Sequence, residues 1–249
     1  MARIIAIANH KGGVGKTTSV ANIGAALARK GRKTLVVDLD AQQNLTFFFL
    51  RGEAEVSVYD ALKGEEPLPV LRIKDNLFLT PSSIDLARAE LDLSGRMARE
   101  WILKGLLADI DKDFDYILLD CPPSLGVLTY NALVAANELF ITLTAEALPY
   151  KGLTMLEDVV REIKVFNKGL SISGVFITRY NNRNLNNMVV EQIRERYGSS
   201  VFDTMIRENI ALAEAPLEGK DIFEYAPESN GAKDYESLTN EIIKRYEQQ

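Results

Sequence analysis

Residues 8–19 read ANHKGGVGKTTS, and their types and spacing suit the handling of a polyphosphate. Gly15, Lys16 and Thr17 supply the second half of the pattern G-x-x-x-x-G-K-[ST], whose first glycine would fall where this chain has His10. Glycines let backbone N–H groups close around a phosphate, and a helix opening directly behind them adds partial positive charge. The expected phosphate contacts are therefore Gly12, Gly13, Val14, Gly15, Lys16, Thr17 and Thr18, with Lys16 on the β/γ-phosphates and the Thr17 hydroxyl on Mg²⁺. Lys11 is a second cation in the same loop that this pattern does not use.

Carboxylates end two apolar runs elsewhere. Asp120 closes YILLD, the arrangement in which an aspartate holds Mg²⁺ directly or through water. Asp38 and Asp40 close LVVDLD, where strand alternation would point both to one side. Each alone could equally be a helix cap or a solvated loop carboxylate. Beside a phosphate loop, the three together suit metal and water handling.

Such residues need a frame that brings distant chain segments to one edge. Apolar runs at 3–9, 33–40, 76–81, 115–123, 138–144 and 172–180 read as strands, several too continuously apolar to leave one face wet. That is the pattern of a parallel sheet covered on both sides. Helical patterns fall between them, near 83–93, 96–110, 126–136, 150–167, 186–197 and 231–247. Behind the loop, Val20, Ile23, Gly24 and Leu27 share one helical face, and Gly31 stands where a helix-ending residue belongs. The order predicts an α/β fold with a doubly wound, mostly parallel sheet, helices on both faces, and ligands beyond the carboxyl ends of the strands. KGEEPLP at 63–69 reads as an exposed loop. With no repeat or linker in view, residues 1–249 read as one domain.

Composition narrows the classes. Hydrophobic residues make up 47% and charged residues 26% of 249, a globular balance, and the net charge of −6 gives no global attraction to nucleic acid or anionic membrane. A single cysteine, Cys121, excludes an intrachain disulfide and suits a reducing, cytoplasmic setting. The apolar start from Ile4 to Ala8 is too short for a secretory signal and no run approaches a membrane span.

KGGVGKTT, VVDLDAQQN and ILLDCPPSLGVLTYNAL closely resemble the deviant Walker-A ATPases of the ParA/MinD group, with DCPPSLG nearest the ParA (Soj-like) partition branch. The likeness continues through EAP at 214–216 and GA…Y at 231–235. It implies a P-loop ATPase with ATP and Mg²⁺ as cofactors and slow hydrolysis stimulated by a ParB-like activator. It further implies that Lys11 reaches the phosphates held by the other subunit of a sandwich homodimer, so that assembly depends on nucleotide. By the same resemblance Lys16 and Thr17 bind phosphate and Mg²⁺, Asp40 positions the attacking water, and Asp38 and Asp120 support the metal. Adenine contacts would come from Thr178, Arg179, Asn209 and Pro216, although Thr178 and Arg179 could also be strand-end residues facing water. His10 would shape the loop.

The chain also departs from that family. Partition ATPases bind DNA without sequence preference through basic residues, commonly P-R-N-V-R-L-S-E-A-P and S-R-G-A. Here RENIALAEAP and SNGA put Glu208, Ala211 and Asn230 at the arginine positions, and residues 179–249 hold nine Lys/Arg against thirteen Asp/Glu. DNA binding is expected to be weak or displaced to Arg179, Arg183, Arg194 and Arg196, which could instead form a solvated face balanced by Glu191 and Glu195. At least two of Phe47, Phe48 and Phe49 are expected in the core. Tyr235, Leu238 and Ile242 predict a core-docked last helix, and Glu236, Glu241 and Glu247 speak against a MinD-like membrane anchor. One cysteine per chain does not supply the set that iron–sulfur relatives need. The leading reading is nucleotide-switched positioning of DNA, with nucleotide-switched positioning of a protein cargo or MinD-like positioning at a membrane surface as the alternatives.

Overall fold

The computed structural model describes residues 1–145 and 150–247. Its seven strands are β1 (Arg3–Ala8), β2 (Thr34–Asp38), β3 (Leu71–Lys74), β4 (Leu77–Thr80), β5 (Tyr116–Asp120), β6 (Glu138–Thr144) and β7 (Ser171–Thr178). They lie in the order β3-β4-β2-β5-β1-β6-β7, all parallel except the edge strand β3, which runs antiparallel to β4. The three central strands are β2, β5 and β1. Their apolar side chains, among them Ile5, Ile7, Leu35, Val36, Ile117 and Leu118, are buried on both faces, which fits the continuous apolar runs.

Eleven α-helices cover the described part: α1 (Lys16–Arg29), α2 (Asn44–Leu50), α3 (Val58–Lys63), α4 (Ala89–Asp92), α5 (Ile102–Ala108), α6 (Val127–Ala135), α7 (Tyr150–Ile163), α8 (Asn184–Tyr197), α9 (Ala211–Glu214), α10 (Ile222–Tyr225) and α11 (Asn230–Glu247). Two core clusters result, one on each side of the sheet. One gathers Ala6, Leu35, Leu119 and Leu133, and the other gathers Ile5, Val20, Val36 and Tyr235. Helix α1 lays Val20, Ile23 and Leu27 against the second, and Gly24 lets it approach, since a Cβ there would stand 2.7 Å from Val36 Cγ1. Gly31 follows with φ of 78° and closes the helix end.

Several elements depart from the sequence-based reading. Edge strand β3 falls in LRIK, where an exposed, half-polar stretch carries no alternation to betray it. The expected helix at 83–93 is a 3₁₀ segment, Ile84–Arg88, passing into the short α4. Of the phenylalanines on α2 only Phe48 is fully buried. Phe49 packs partly against the core and Phe47 is exposed, because successive helical residues turn by about 100° and cannot all face one side. Tyr235, Leu238 and Ile242 dock α11 on the core, while Glu236 pairs with Lys30 and Glu241 accepts from the Asp203 and Thr204 N–H groups. The side chain of Glu247 lies outside the described part. No described helix is long and apolar enough to cross a membrane.

Candidate active site

The loop between β1 and α1 sits at the carboxyl end of the central strands. Asn9 fixes its start: the buried amide donates to the Thr142 carbonyl (2.6 Å) and its Oδ1 accepts from Lys11 N–H (2.9 Å). Gly13 and Gly15 have φ of 71° and 80°, left-handed values that favour glycine, and a Cβ on Gly12 or Gly13 would meet nothing within 4 Å. The resulting hollow opens onto the first turn of α1, which has no side-chain cap and no acidic residue of its own. Its orphan N–H groups are thus available to an anion. Lys16 is buried beneath the loop and donates to the Lys11 carbonyl at 3.3 Å. Burial pushes its pKa down, against the pull of Asp120, Cys121 and Asp40. Lys11 is exposed.

The carboxylates lie one layer deeper. Parallel register sets Asp38 of β2 directly beside Asp120 of β5, which is also paired with Ile7 of β1. Both are buried. Asp38 is satisfied: Oδ2 accepts from Thr46 N–H (2.8 Å) and the Thr46 hydroxyl (2.7 Å), and Oδ1 from Asp40 N–H (3.1 Å). Desolvation raises its pKa to about 6 despite these bonds. Asp120 differs, because neither carboxylate oxygen has a hydrogen-bond partner within bonding geometry among the described residues. Desolvation and then the charge of Asp38 push its pKa well up, offset in part by the nearby Thr17 hydroxyl and the Lys16 ammonium. Cys121 beside it is buried, and its thiol pKa is raised by desolvation.

Strand β2 ends at Asp38, so the alternation that would align Asp38 with Asp40 stops two residues short of Asp40. Asp38 is buried below the site, whereas Asp40 is half-buried and lines the open cleft. A hydroxyl network holds Asp40 from behind: Ser82 Oγ donates to its carbonyl (2.8 Å), and Ser82 N–H donates to Thr46 Oγ1 (2.9 Å), which binds Asp38. Thr46, Ser82 and Asn9 were not legible in the sequence, since their partners lie on other elements and isolated polar residues near strand ends are common.

The cleft has a volume of about 1080 Å³ and runs from the glycines past Asp40 to residues 206–216. Its far wall is built by the turn after β7, where Tyr180 N–H donates to Ile206 O and Glu208 N–H to Tyr180 O, both at 3.0 Å. Thr178 is buried and its hydroxyl donates to the Val14 carbonyl (2.9 Å), so it braces the phosphate loop from below while facing the cleft. Arg179, with φ of 53°, lies 4.0 Å from Glu208. Asn209 Oδ1 accepts from Ala211 N–H (2.9 Å), and Pro216 lies in the first turn of the 3₁₀ segment Ala215–Glu218; both line the same wall. His10 Nδ1 is 3.1 Å from the Pro123 carbonyl, which accepts from it when that nitrogen carries the proton.

This donor set fits ATP with Mg²⁺. The glycine hollow and uncapped α1 suit phosphate oxygens, and the two unpartnered acceptors of Asp120, next to the Thr17 hydroxyl, suit a hydrated cation. No group of three or more His, Cys, Asp or Glu side chains forms a cage among the described residues. That is expected for Mg²⁺, which keeps several waters and takes the rest of its shell from one or two carboxylates and the substrate's phosphates.

Comparison with known proteins agrees. The family model described as "AAA domain" matches residues 2–172. The chain is 44% identical over 98% of both chains to the chromosome-partitioning ATPase Soj of Treponema pallidum. It is 40% identical to the sporulation initiation inhibitor protein Soj of Bacillus subtilis, over 97% of this chain and 98% of that one. In structure it is similar to cobyrinic acid a,c-diamide synthase from Mycobacterium smegmatis with bound ATP analogue and magnesium. The TM-score is 0.87 at 35% identity, over 99% of this chain and 96% of that one.

Proposed function

The chain belongs to the ParA/Soj family of partition ATPases and hydrolyses ATP with Mg²⁺, and from that premise we propose that it is a cytoplasmic switch which dimerises on ATP. Lys16 neutralises charge on the β/γ-phosphates, the loop N–H groups fix their position, and Asp40 orients the attacking water from the cleft wall. Bound Mg²⁺ would be held by Thr17 and through water by Asp120, with Asp38 behind it, and would screen the phosphate charge. Phosphoryl transfer depends chiefly on such positioning and electrostatics. The observation that supports the dimer reading is the contrast between the two lysines of the loop: Lys16 is buried and Lys11 is exposed, which suits a contact with a nucleotide held by a second copy. Thr178, Arg179, Asn209 and Pro216 form the base end. A ParB-like protein would accelerate hydrolysis.

What the dimer carries is the second question. Of the four arginines that could replace the missing DNA contacts, three are already engaged. Arg196 makes a bidentate pair with Glu157 (3.0 and 2.6 Å), Arg194 lies near Glu191 (3.7 Å) and Asp203 (4.0 Å), and Arg179 faces Glu208. Among the described residues only Arg183 of the four has no ion pair. This favours positioning of a protein cargo as a second reading beside plasmid or chromosome partition on non-specific DNA. A salt-titrated duplex shift with ATP separates them. The partition reading expects binding with ATP and not ADP, aided by the avidity of two copies and falling steeply as salt rises. Absence of binding with ATP in low salt would leave the protein-cargo reading.

A further inference from the structure

Helix α6 opens without a cap of its own: Gly126 offers no side chain and its first turn contains no acidic residue. The deficit is met from 37 residues away. Glu90, at the start of α4, lays its carboxylate over the helix end, accepting from Val127 N–H at 3.1 Å through Oε2 and at 3.4 Å through Oε1. Gly126 makes room for it. Its φ of −95° is open to any residue, so the backbone does not call for glycine. Yet a Cβ there would stand 2.6 Å from Glu90 Oε2, and its three nearest neighbours would all be Glu90 atoms. The glycine and the glutamate thus form one device.

The loop that this device holds is the one leaving Asp120. Pro122, Pro123 and Ser124 line the nucleotide cleft, as do Glu90 and its neighbours Leu86 and Ala87. At its near end, Pro123 is tied to His10 of the phosphate loop. At its far end the tie is Glu90 on Val127. The chain that carries Glu90 begins at Ser82, whose hydroxyl fixes the Asp40 carbonyl. One continuous stretch, residues 82–90, therefore grips both the water-positioning side of the cleft and the loop behind Asp120.

We propose that Glu90 is a positioning residue for ATP hydrolysis: by capping α6 in trans it sets the loop 122–126 against the nucleotide, and Gly126 exists to admit it. A carboxylate cap on a helix N-terminus satisfies an orphan donor and opposes the helix dipole, so its loss frees this end while leaving the phosphate contacts of Lys16 and the glycines in place.

The test is a double-mutant cycle on steady-state ATPase with Glu90→Ala, Gly126→Ala and the pair, alongside Glu90→Gln. Glu90→Ala should lower kcat about fivefold or more with KM for ATP changed less than about twofold. Gly126→Ala, which adds a methyl group and no backbone strain, should reproduce that loss by expelling the carboxylate. The pair should be no slower than either single variant, because both remove the same contact. Glu90→Gln, which keeps an acceptor without the charge, should fall between wild type and Glu90→Ala. Unchanged kcat in Glu90→Ala would overturn the proposal, as would losses that multiply in the pair or that appear in KM alone. Should the pair fail to fold, the match between the two single variants decides by itself.

Discussion

Asp38 and Asp120 stand in register on neighbouring strands and are both buried, and only Asp38 has its oxygens satisfied. An acid whose folded pKa is raised above its unfolded value makes the folded state bind protons more readily. Stability is then greatest below the unfolded pKa and is lost as pH rises through the folded one. Asp120→Asn removes a buried charge placed beside Asp38, so thermal melting of the nucleotide-free protein should rise at alkaline pH, where the wild-type carboxyl is ionised. Each kcal/mol gained corresponds to roughly 2–4 °C for a chain of this size. The gain should shrink as pH falls and the wild-type carboxyl takes up its proton, and Mg²⁺-dependent hydrolysis should fall in the same variant. A melting point lowered at high pH would show that Asp120 is stabilising in the empty site. The acidic ends of YILLD and LVVDLD were legible because they close apolar runs. Their different depths were not, since strand β2 ends at Asp38 and alternation beyond a strand end carries no information.

At the scale of elements, α1 is where sequence and structure agree most closely: a glycine loop before it, one apolar face along it and Gly31 after it all act locally. Gly24 belongs to that face for a reason periodicity does not state, which is that Val36 Cγ1 fills the place of its Cβ. Gly24→Ala should destabilise by about 1–3 kcal/mol through overpacking, although alanine is the better helix former. Chemical denaturation measures this, and a neutral or stabilising effect would mean that the helix can lift from the sheet freely. Edge strand β3, the 3₁₀ path through residues 84–88 and the face of α2 that buries Phe48 and leaves Phe47 exposed depend on partners far along the chain. Local sequence carries little of that information. The Glu90–Gly126 contact belongs here as well, since a glycine required by a distant side chain looks in sequence like any turn glycine.

At the scale of the whole molecule, the phosphate loop, the buried carboxylates and the wall at 206–216 converge from separate segments at the carboxyl end of the central strands, and Lys11 of that loop is exposed. In the proposed switch ATP is part of an interface: assembly would need Lys11 and nucleotide, and disassembly would need the water positioned by Asp40. Light scattering coupled to size exclusion tests this most directly, with Asp40→Ala and with Asp40→Ala carrying Lys11→Ala, in ATP and in ADP. The expected result is a stable species of about twice the 27.7 kDa chain mass for Asp40→Ala in ATP, and monomer both in ADP and in the doubly substituted protein with ATP. A mass that ignores nucleotide, or a dimer that survives the loss of Lys11, would contradict it.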